Sequence, residues 1–204
     1  MVDRQPYHHA NLKQGLLDAA VRLLAEAGPH GFTLREVARR AGVSHNAPYR
    51  HFKDKDDLVA AVAAEGFDRL TASMLEAMEA GANALERLRL AGRGYVEFAL
   101  RQPQHLVAMF EAPAGNCTRP EYEAAGQRAF QVLLDVVWEV KAEGLLPAGD
   151  PNVFAVTAWS AVHGLAKLAI GGRLPFDKAQ TVEFTGYLSR ALMHGMANIP
   201  ASVS

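Results

Sequence analysis

The chain has a single cysteine and no long hydrophobic run, and each shortage excludes a class of protein. Because Cys117 is the only thiol among 204 residues, no internal disulfide can form and nothing points to an oxidising compartment. The longest stretch without Asp, Glu, Lys or Arg covers 151–166, which is too short to span a membrane. The first ten residues lack the apolar core of an export signal. These features predict a cytoplasmic protein with no membrane association.

The net charge is also small, at −1, with 21 Lys and Arg residues and 22 Asp and Glu residues. Such a balance argues against unspecific coating of nucleic acid. Residues 1–58 nevertheless hold nine basic and seven acidic side chains and five of the eight histidines. A module of this kind is expected to bind DNA through a small number of specific contacts, and its affinity should fall steeply as the salt concentration rises.

Signs of catalysis are missing. The sequence has no Gly-rich phosphate loop, and its histidines do not show metal-ligand spacing with carboxylates or thiolates. His45 and His51 are six residues apart, so they point in different directions on a helix. We therefore expect a protein that is not an enzyme and that needs no metal and no cofactor.

The pattern of apolar residues is helical throughout. No alternating run rich in β-branched residues is present, so the fold class is all-α, with about nine helices. Three helices would form an N-terminal module over 9–56, and six or so would form a larger domain over 57–198. The stretch 112–120 reads as a loop and 200–204 as a tail.

Residues 31–58, GFTLREVARRAGVSHNAPYRHFKDKDDL, carry the most specific pattern. Thr33 and Glu36 are spaced as a capping box at the start of a short helix. Gly42 stands where a left-handed C-cap is needed, and Ser44 can cap a second helix that runs to about residue 52. Two short helices joined by a tight turn are typical of a helix-turn-helix, which presents its second helix to the major groove.

Pro48 lies inside this expected second helix. It has no N–H to donate, and if Ser44 is the N-cap, the missing hydrogen bond would have gone to the capping residue. The sequence predicts a local distortion of the helix rather than a break.

From about residue 11 to residue 58, the chain resembles the N-terminal domain of TetR-family transcription regulators. The matching residues are Leu16, Ala19, Ala20, Leu23, Gly28, Thr33, Val37, Ala38, Ala41, Gly42, Val43, Ser44, Tyr49, His51, Phe52, Lys55 and Leu58. WSAVHG at 159–164 resembles a C-terminal ligand-binding domain, marked by Trp, His and Gly, that a subset of these regulators carries. The resemblance implies a homodimer, formed through the last two helices, that reads an inverted-repeat operator in double-stranded DNA. It also implies a small-molecule effector, bound in a pocket of the larger domain, and most often repression.

The resemblance and the position of the motif select candidate DNA contacts. His45, Asn46 and Ala47 fall in the first turn of the recognition helix, where Asn46 can pair with adenine and Ala47 can pack on a thymine methyl. The positions that match phosphate contacts in the family are Thr33, Arg35, Ser44, Tyr49, His51 and Lys55. Arg50 can take either role.

Two further sets of residues are candidates in the larger domain. Aromatic, pliable or polar side chains suited to an effector pocket are Tyr95, Phe98, His105, Met109, Phe110, Phe130, Trp138, Trp159 and His163, although such residues at helical spacing also make ordinary cores. Residues expected at the dimer interface are Thr157, Ala161, Gly164, Leu168, Phe184, Leu188 and Ala191.

Two hypotheses follow. The first is a dimeric transcription regulator, most simply a repressor that a small molecule releases from its operator. The alternative is a helical ligand- or protein-binding module with a degenerate DNA-binding domain. The intact basic and hydroxyl residues of the motif favour the first.

Overall fold

The computed structural model describes residues 9–111, 119–146 and 149–197. Cys117, most of the expected loop at 112–120 and the expected tail at 200–204 lie outside these ranges. The described chain is all-α, as predicted, and contains eight α-helices, one 3₁₀ turn and no strand. The α-helices are α1 His9–Ala27, α2 Leu34–Arg40, α3 Lys55–Met78, α4 Ala84–Arg101, α5 Pro103–Glu111, α6 Pro120–Ala142, α7 Pro151–Ile170 and α8 Lys178–Ala197, and the 3₁₀ turn is Pro48–Arg50.

Helix starts follow local capping chemistry. The Asn83 side chain accepts from the Glu86 amide at 2.9 Å to open α4, and the Asp150 side chain accepts from the Asn152 amide at 2.9 Å to open α7. The last helix, α8, begins at Lys178 because the Asp177 side chain accepts from the Gln180 amide at 2.8 Å and caps the N-terminus.

The chain forms two compact units, and each unit contains two separate stretches of the sequence. The first contains residues 1–66 and 104–124, and the second contains 67–103 and 125–204. This division differs from the expected boundary at 56/57, because α5 and the start of α6 group with the N-terminal residues.

The first unit is built on the buried faces of α1, α2 and the first half of α3. Leu16, Val37, Phe52 and Leu58 are almost completely buried. Phe52 lies two residues after the 3₁₀ turn, so this side chain anchors the helix-turn-helix to its core.

The second unit is organised around α4, which packs against α7 and α8. Gly94 permits one close approach: a Cβ there would lie 2.6 Å from the Ser73 carbonyl oxygen, and the Ser73 hydroxyl donates to the Gly94 carbonyl at 3.0 Å. A separate apolar cluster joins α4, α6 and α7, with Val136, Val137 and Phe154 among its buried members. These contacts leave a cavity beside α4.

Candidate DNA interface and ligand cavity

The turn after α2 has the geometry that the sequence predicts. The Thr33 hydroxyl accepts from the Glu36 amide at 3.3 Å, and the Glu36 carboxylate accepts from the Thr33 amide at 2.8 Å, which is the expected capping box. At the other end, Gly42 has φ +70°. The Val43 amide donates to the Ala38 carbonyl at 3.0 Å, and the Gly42 amide donates to that of Arg39 at 3.2 Å. This pair of bonds is a Schellman motif, and it aims the chain into the recognition segment, residues 44–52.

The recognition segment is not the regular helix that was expected. It is a turn over 44–47 followed by the 3₁₀ turn Pro48–Arg50. In an α-helix the Ser44 carbonyl would accept from residue 48, but proline has no N–H. Instead the Ala47 amide donates to Ser44 at 2.9 Å, and the amides of His51 and Phe52 both donate to the Pro48 carbonyl at 2.9 Å. The distortion expected at Pro48 therefore extends over most of the segment.

Exposure divides the recognition segment into two faces. Ser44, His45, Asn46 and Arg50 are exposed, and Tyr49 keeps 55% of its surface. The expected thymine contact of Ala47 needs correction, because this side chain is only 8% exposed and packs into the core beside Pro48. On α2 and at its cap, Arg35 and Thr33 are exposed as well.

Two expected phosphate contacts have other surroundings. Lys55 donates from its ammonium to the Pro29 carbonyl at 3.1 Å and lies 5.7 Å from the centre of the Phe32 ring, so it ties α3 to the turn before α2. His51 is half-buried, and its Nε2 is fully buried without a hydrogen-bond partner among the described residues. This atom cannot reach a phosphate unless the ring moves.

The second unit contains a cavity of 310 Å³ between α4, α7 and α8. Tyr95 and Trp159, both expected to bind an effector, line it. The other apolar or small side chains on its wall include Met74, Leu85, Leu88, Ala91, Gly92, Leu133, Ala158, Ala161, Val162, Leu188, Leu192 and Met193. Sequence reasoning missed most of these residues. A signal was present on α4, where Leu88, Ala91, Gly92 and Tyr95 recur at helical spacing on one face.

Two residues on the cavity wall, Tyr95 and Trp159, contact His163, which is not itself on the wall. The polar side chains that also line the cavity are Glu86, Arg89, Ser189 and Arg190. The Tyr95 hydroxyl lies 2.7 Å from His163 Nδ1, and the Trp159 ring meets the His163 ring edge-on at 6.2 Å. Burial raises the pKa of the Tyr95 phenol, while a hydrogen bond from Trp159 acts in the opposite direction. Burial, and then the charge of Lys167, lower the pKa of His163. The tautomer of His163 decides which of the two groups donates in this hydrogen bond.

Seven of the nine side chains expected in the pocket are not on its wall, namely Phe98, His105, Met109, Phe110, Phe130, Trp138 and His163. His105 and Met109 belong to the first unit, where the His105 Nε2 lies 3.6 Å from a Glu65 carboxylate oxygen and Met109 packs near Gly66. Phe98 is buried in the core, Phe110 is half-buried on α5, and Trp138 is 52% exposed with the Lys141 ammonium 5.5 Å from its ring centre. Phe130 stacks on Trp159 at 6.0 Å. The sequence indicates which residues are aromatic, but the cavity wall is determined by which helix faces pack together.

The last two helices carry apolar side chains on their exposed faces. Val153, Val156 and Leu168 on α7 are 56%, 47% and 49% exposed. Phe184 stacks on Phe176 at 5.2 Å and on Tyr187 at 5.5 Å. By length and composition α7 would pass for a membrane span, and only 33% of its most apolar window is buried within the chain.

The residues expected at the dimer interface divide between this face and the cavity. Thr157, Leu168 and Ala191 are exposed, and Gly164 and Phe184 are half-buried. Ala161 and Leu188 instead line the cavity. Spacing alone puts Ala161 on the same helix face as Thr157, four positions earlier, so its place on the cavity wall comes from the packing of α7 against its neighbours.

Comparison with known proteins identifies the family. The profile described as "Bacterial regulatory proteins, tetR family" matches residues 16–62, and the one described as "Tetracyclin repressor-like, C-terminal domain" matches 88–192. The HTH-type transcriptional activator FasR of Mycolicibacterium smegmatis is 27% identical over 190 residues, which cover 93% of this chain and 84% of FasR.

Solved structures agree. One from Rhodococcus sp. RHA1, described as a protein with unknown function, has a TM-score of 0.81 and 35% identity and covers 96% of this chain and 100% of that chain. The regulator FadR from Bacillus subtilis, in complex with stearoyl-CoA, shares the fold at a TM-score of 0.76 and 20% identity, with 89% and 98% coverage. Because the C-terminal profile alone spans more than half of the residues, the chain belongs to the TetR family of DNA-binding transcription regulators.

Proposed function

We propose that this regulator binds an inverted-repeat operator as a homodimer, with one recognition segment in each of two major grooves. The observation that carries the proposal is the exposed turn Ser44–Asn46, which the Schellman motif after α2 presents with its polar side chains outward. Asn46 is the base-reading candidate, because its amide can pair with adenine. Tyr49 and Arg50 flank it, and the exposed Thr33, Arg35 and Ser44 would contact the phosphate backbone.

The exposed faces of α7 and α8 support the homodimer. Val153, Val156 and Leu168 would be covered by the same face of a second copy, with the stack around Phe184 beside them. A Cβ placed on Gly164 would meet no other atom, so a partner helix has room to approach there. Ala161 and Leu188 leave the proposed interface, since they line the cavity. Pairing of two helices from each subunit would make the face as apolar as an obligate interface requires.

The effector we propose is a mainly apolar small molecule with one hydrogen-bonding group. Its body would lie against Leu88, Val162 and Leu192, and its polar group would meet the Tyr95 hydroxyl or another polar side chain on the wall, such as Arg89 or Ser189. The cavity is near the lower end of the range for ligand sites, about 300 to 1,000 Å³, so it accepts an acyl chain more readily than a large polar molecule. Crystallisation of FadR from Bacillus subtilis with stearoyl-CoA lends support to this class.

Control follows from population shift. A ligand can favour one arrangement of α4, α7 and α8 over another. The resulting change in operator affinity cannot exceed the difference between the ligand's affinities for the two arrangements. Release of DNA on ligand binding, and hence repression in the absence of ligand, is the proposed direction. The named relative FasR is an activator, and the position of the operator relative to the promoter decides which outcome a bound dimer produces. The proposed location is the cytoplasm, with the DNA-bound dimer at the nucleoid.

The experiment is a binding titration of the purified protein with fluorescent duplexes tiled across its own promoter region. Saturable binding to one inverted repeat, with a steep loss between 50 and 200 mM salt (on the order of 10³-fold for six phosphate contacts), is expected. Decanoate, a simple acyl chain, should then release the duplex, while hexaethylene glycol should not. Equal binding to every duplex would contradict the proposed function and favour the degenerate-module alternative.

A further inference from the structure

Arg119, immediately before α6, is joined to the helix-turn-helix through an ion pair. Its Nη2 donates to Asp57 Oδ2 at 2.9 Å and its Nε donates to Oδ1, so the pair is two-pronged. Both side chains are largely shielded, at 18% and 19% exposure. Two-pronged Arg–carboxylate pairs fix orientation as well as distance, which sets this contact apart from an ordinary surface ion pair.

The same guanidinium reaches the end of the recognition segment. Arg119 Nη2 also donates to the His51 carbonyl at 3.3 Å, and the guanidinium lies 5.4 Å from the centre of the Phe52 ring. One side chain therefore contacts the last residues of the recognition segment and the first turn of α3 together.

Asp57 connects these contacts to the short link between the two elements. Its Oδ2 accepts from the Lys53 amide at 2.8 Å, and its own amide donates to the Asp54 side chain at 2.8 Å. The Arg119 guanidinium, through its hydrogen bond, lowers the pKa of Asp57, which keeps this carboxylate ionised. Asp57 is thus bonded to Lys53, Asp54 and Arg119, and Arg119 is bonded in turn to the His51 carbonyl.

We propose that Arg119 is a positioning residue for operator recognition, which holds the exit of the recognition segment against α3 without touching DNA. The TetR-type N-terminal profile ends at residue 62, whereas this contact comes from more than fifty residues further along the chain. The inference rests on the proposed function, because it assumes that the recognition segment reads DNA.

A competing explanation is that Arg119 binds a phosphate directly, and the two accounts predict opposite signs for Asp57→Asn. Removal of a negative charge near DNA strengthens binding if only charge matters. If the pair positions the segment, Asp57→Asn weakens binding, because Asn cannot hold the guanidinium fork.

The test compares Arg119→Gln, Arg119→Lys and Asp57→Asn with wild type by duplex titration and thermal denaturation. Arg128→Gln is the matched control, since Arg128 also lies in the α6 region and pairs with Asp68 at 2.6 Å, but both partners are more than half exposed. Arg119→Gln and Asp57→Asn should each weaken operator binding about tenfold at temperatures where the variants are folded. Arg119→Lys should fall between Gln and wild type, and Arg128→Gln should match wild type.

Three results would overturn the inference: folded Arg119→Gln or Arg119→Lys that binds like wild type, tighter binding by Asp57→Asn, or a salt slope for Arg119→Gln reduced by about 1, which marks a lost phosphate contact. If Arg119→Gln does not fold, Arg119→Lys and Asp57→Asn still decide the matter. A wild-type protein that binds no duplex would refute the proposed function instead, so the two failures are distinguishable.

Discussion

Replacement of Trp159 by alanine tests the cavity directly, because the chain has only two tryptophans and they lie in different surroundings. Trp159 lines the cavity and packs on Phe130 and His163. Trp138 is 52% exposed, has the Lys141 ammonium over its ring, and does not line the cavity. Trp138→Ala is therefore a control for loss of an indole that does not border the cavity.

The size of the effect can be worked from these surroundings. Truncation of a fully buried tryptophan costs about 3–5 kcal/mol, but Trp159 is half-buried and already borders a void, so we expect about 2 kcal/mol of lost folding stability. If a ligand covers about 60 Å² of the indole, its removal forfeits about 1.5 kcal/mol of binding at roughly 25 cal/mol per Å². This corresponds to about tenfold weaker ligand binding.

Two measurements on each variant separate the roles. Chemical denaturation gives the free energy of unfolding, and titration of decanoate against the protein–duplex complex gives the ligand response. Trp159→Ala should bind the operator like wild type and require about tenfold more decanoate for release, while Trp138→Ala should resemble wild type in both. The reasoning fails if the two variants lose the same response, or if Trp159→Ala responds to decanoate normally.

Three other substitutions test the remaining proposals. Asn46→Ala should change base preference at one position per half-site by about 1–3 kcal/mol, and an unchanged profile in a selection from randomised duplexes would remove Asn46 from the base-reading set. Leu168→Arg should give a folded monomer by sedimentation that no longer binds the full operator, whereas Leu75→Arg, a similarly exposed leucine on α3, should remain dimeric. The pKa of His163 is lower in the folded protein than in the unfolded chain, so the unfolded chain binds a proton at this histidine more readily. The free energy of unfolding should therefore decrease as pH falls below about 6.5. Denaturation at pH 7.5 and 5.5 should therefore show a smaller loss for His163→Gln than for wild type.

Features that depend on near neighbours in the sequence could be predicted. The capping box of Thr33 and Glu36 and the left-handed Gly42 use bonds that span three to five residues, so residue types at fixed spacing were sufficient. The caps that open α4 and α7, Asn83 and Asp150, are local signals of the same kind, because a helix cap depends on residues within a few positions.

Features that depend on long-range packing could not be predicted in the same way. His105 and Met109 have the chemistry of pocket residues, yet both belong to the first unit. Arg119 follows a stretch that reads as a loop, and nothing in its neighbours indicates that it meets Asp57, sixty-two positions earlier in the chain. Small residues such as Gly92 form the cavity wall because they leave space, and a search by residue type for ligand groups does not select them.

The recognition segment shows how one local rule creates a dependence on distant contacts. Pro48 removes the amide that an α-helix would use, so the segment cannot hold its shape with a regular ladder of backbone bonds. Its exposed residues, Asn46 among them, stand on a turn whose far end is fixed by burial of Phe52 and by the carbonyl contact of Arg119. A regular helix keeps its shape through its own backbone hydrogen bonds, whereas the shape of this segment depends on packing against the core. We therefore expect tertiary structure to set the angle at which Asn46 would meet a base, and residues far from the DNA surface to influence operator affinity.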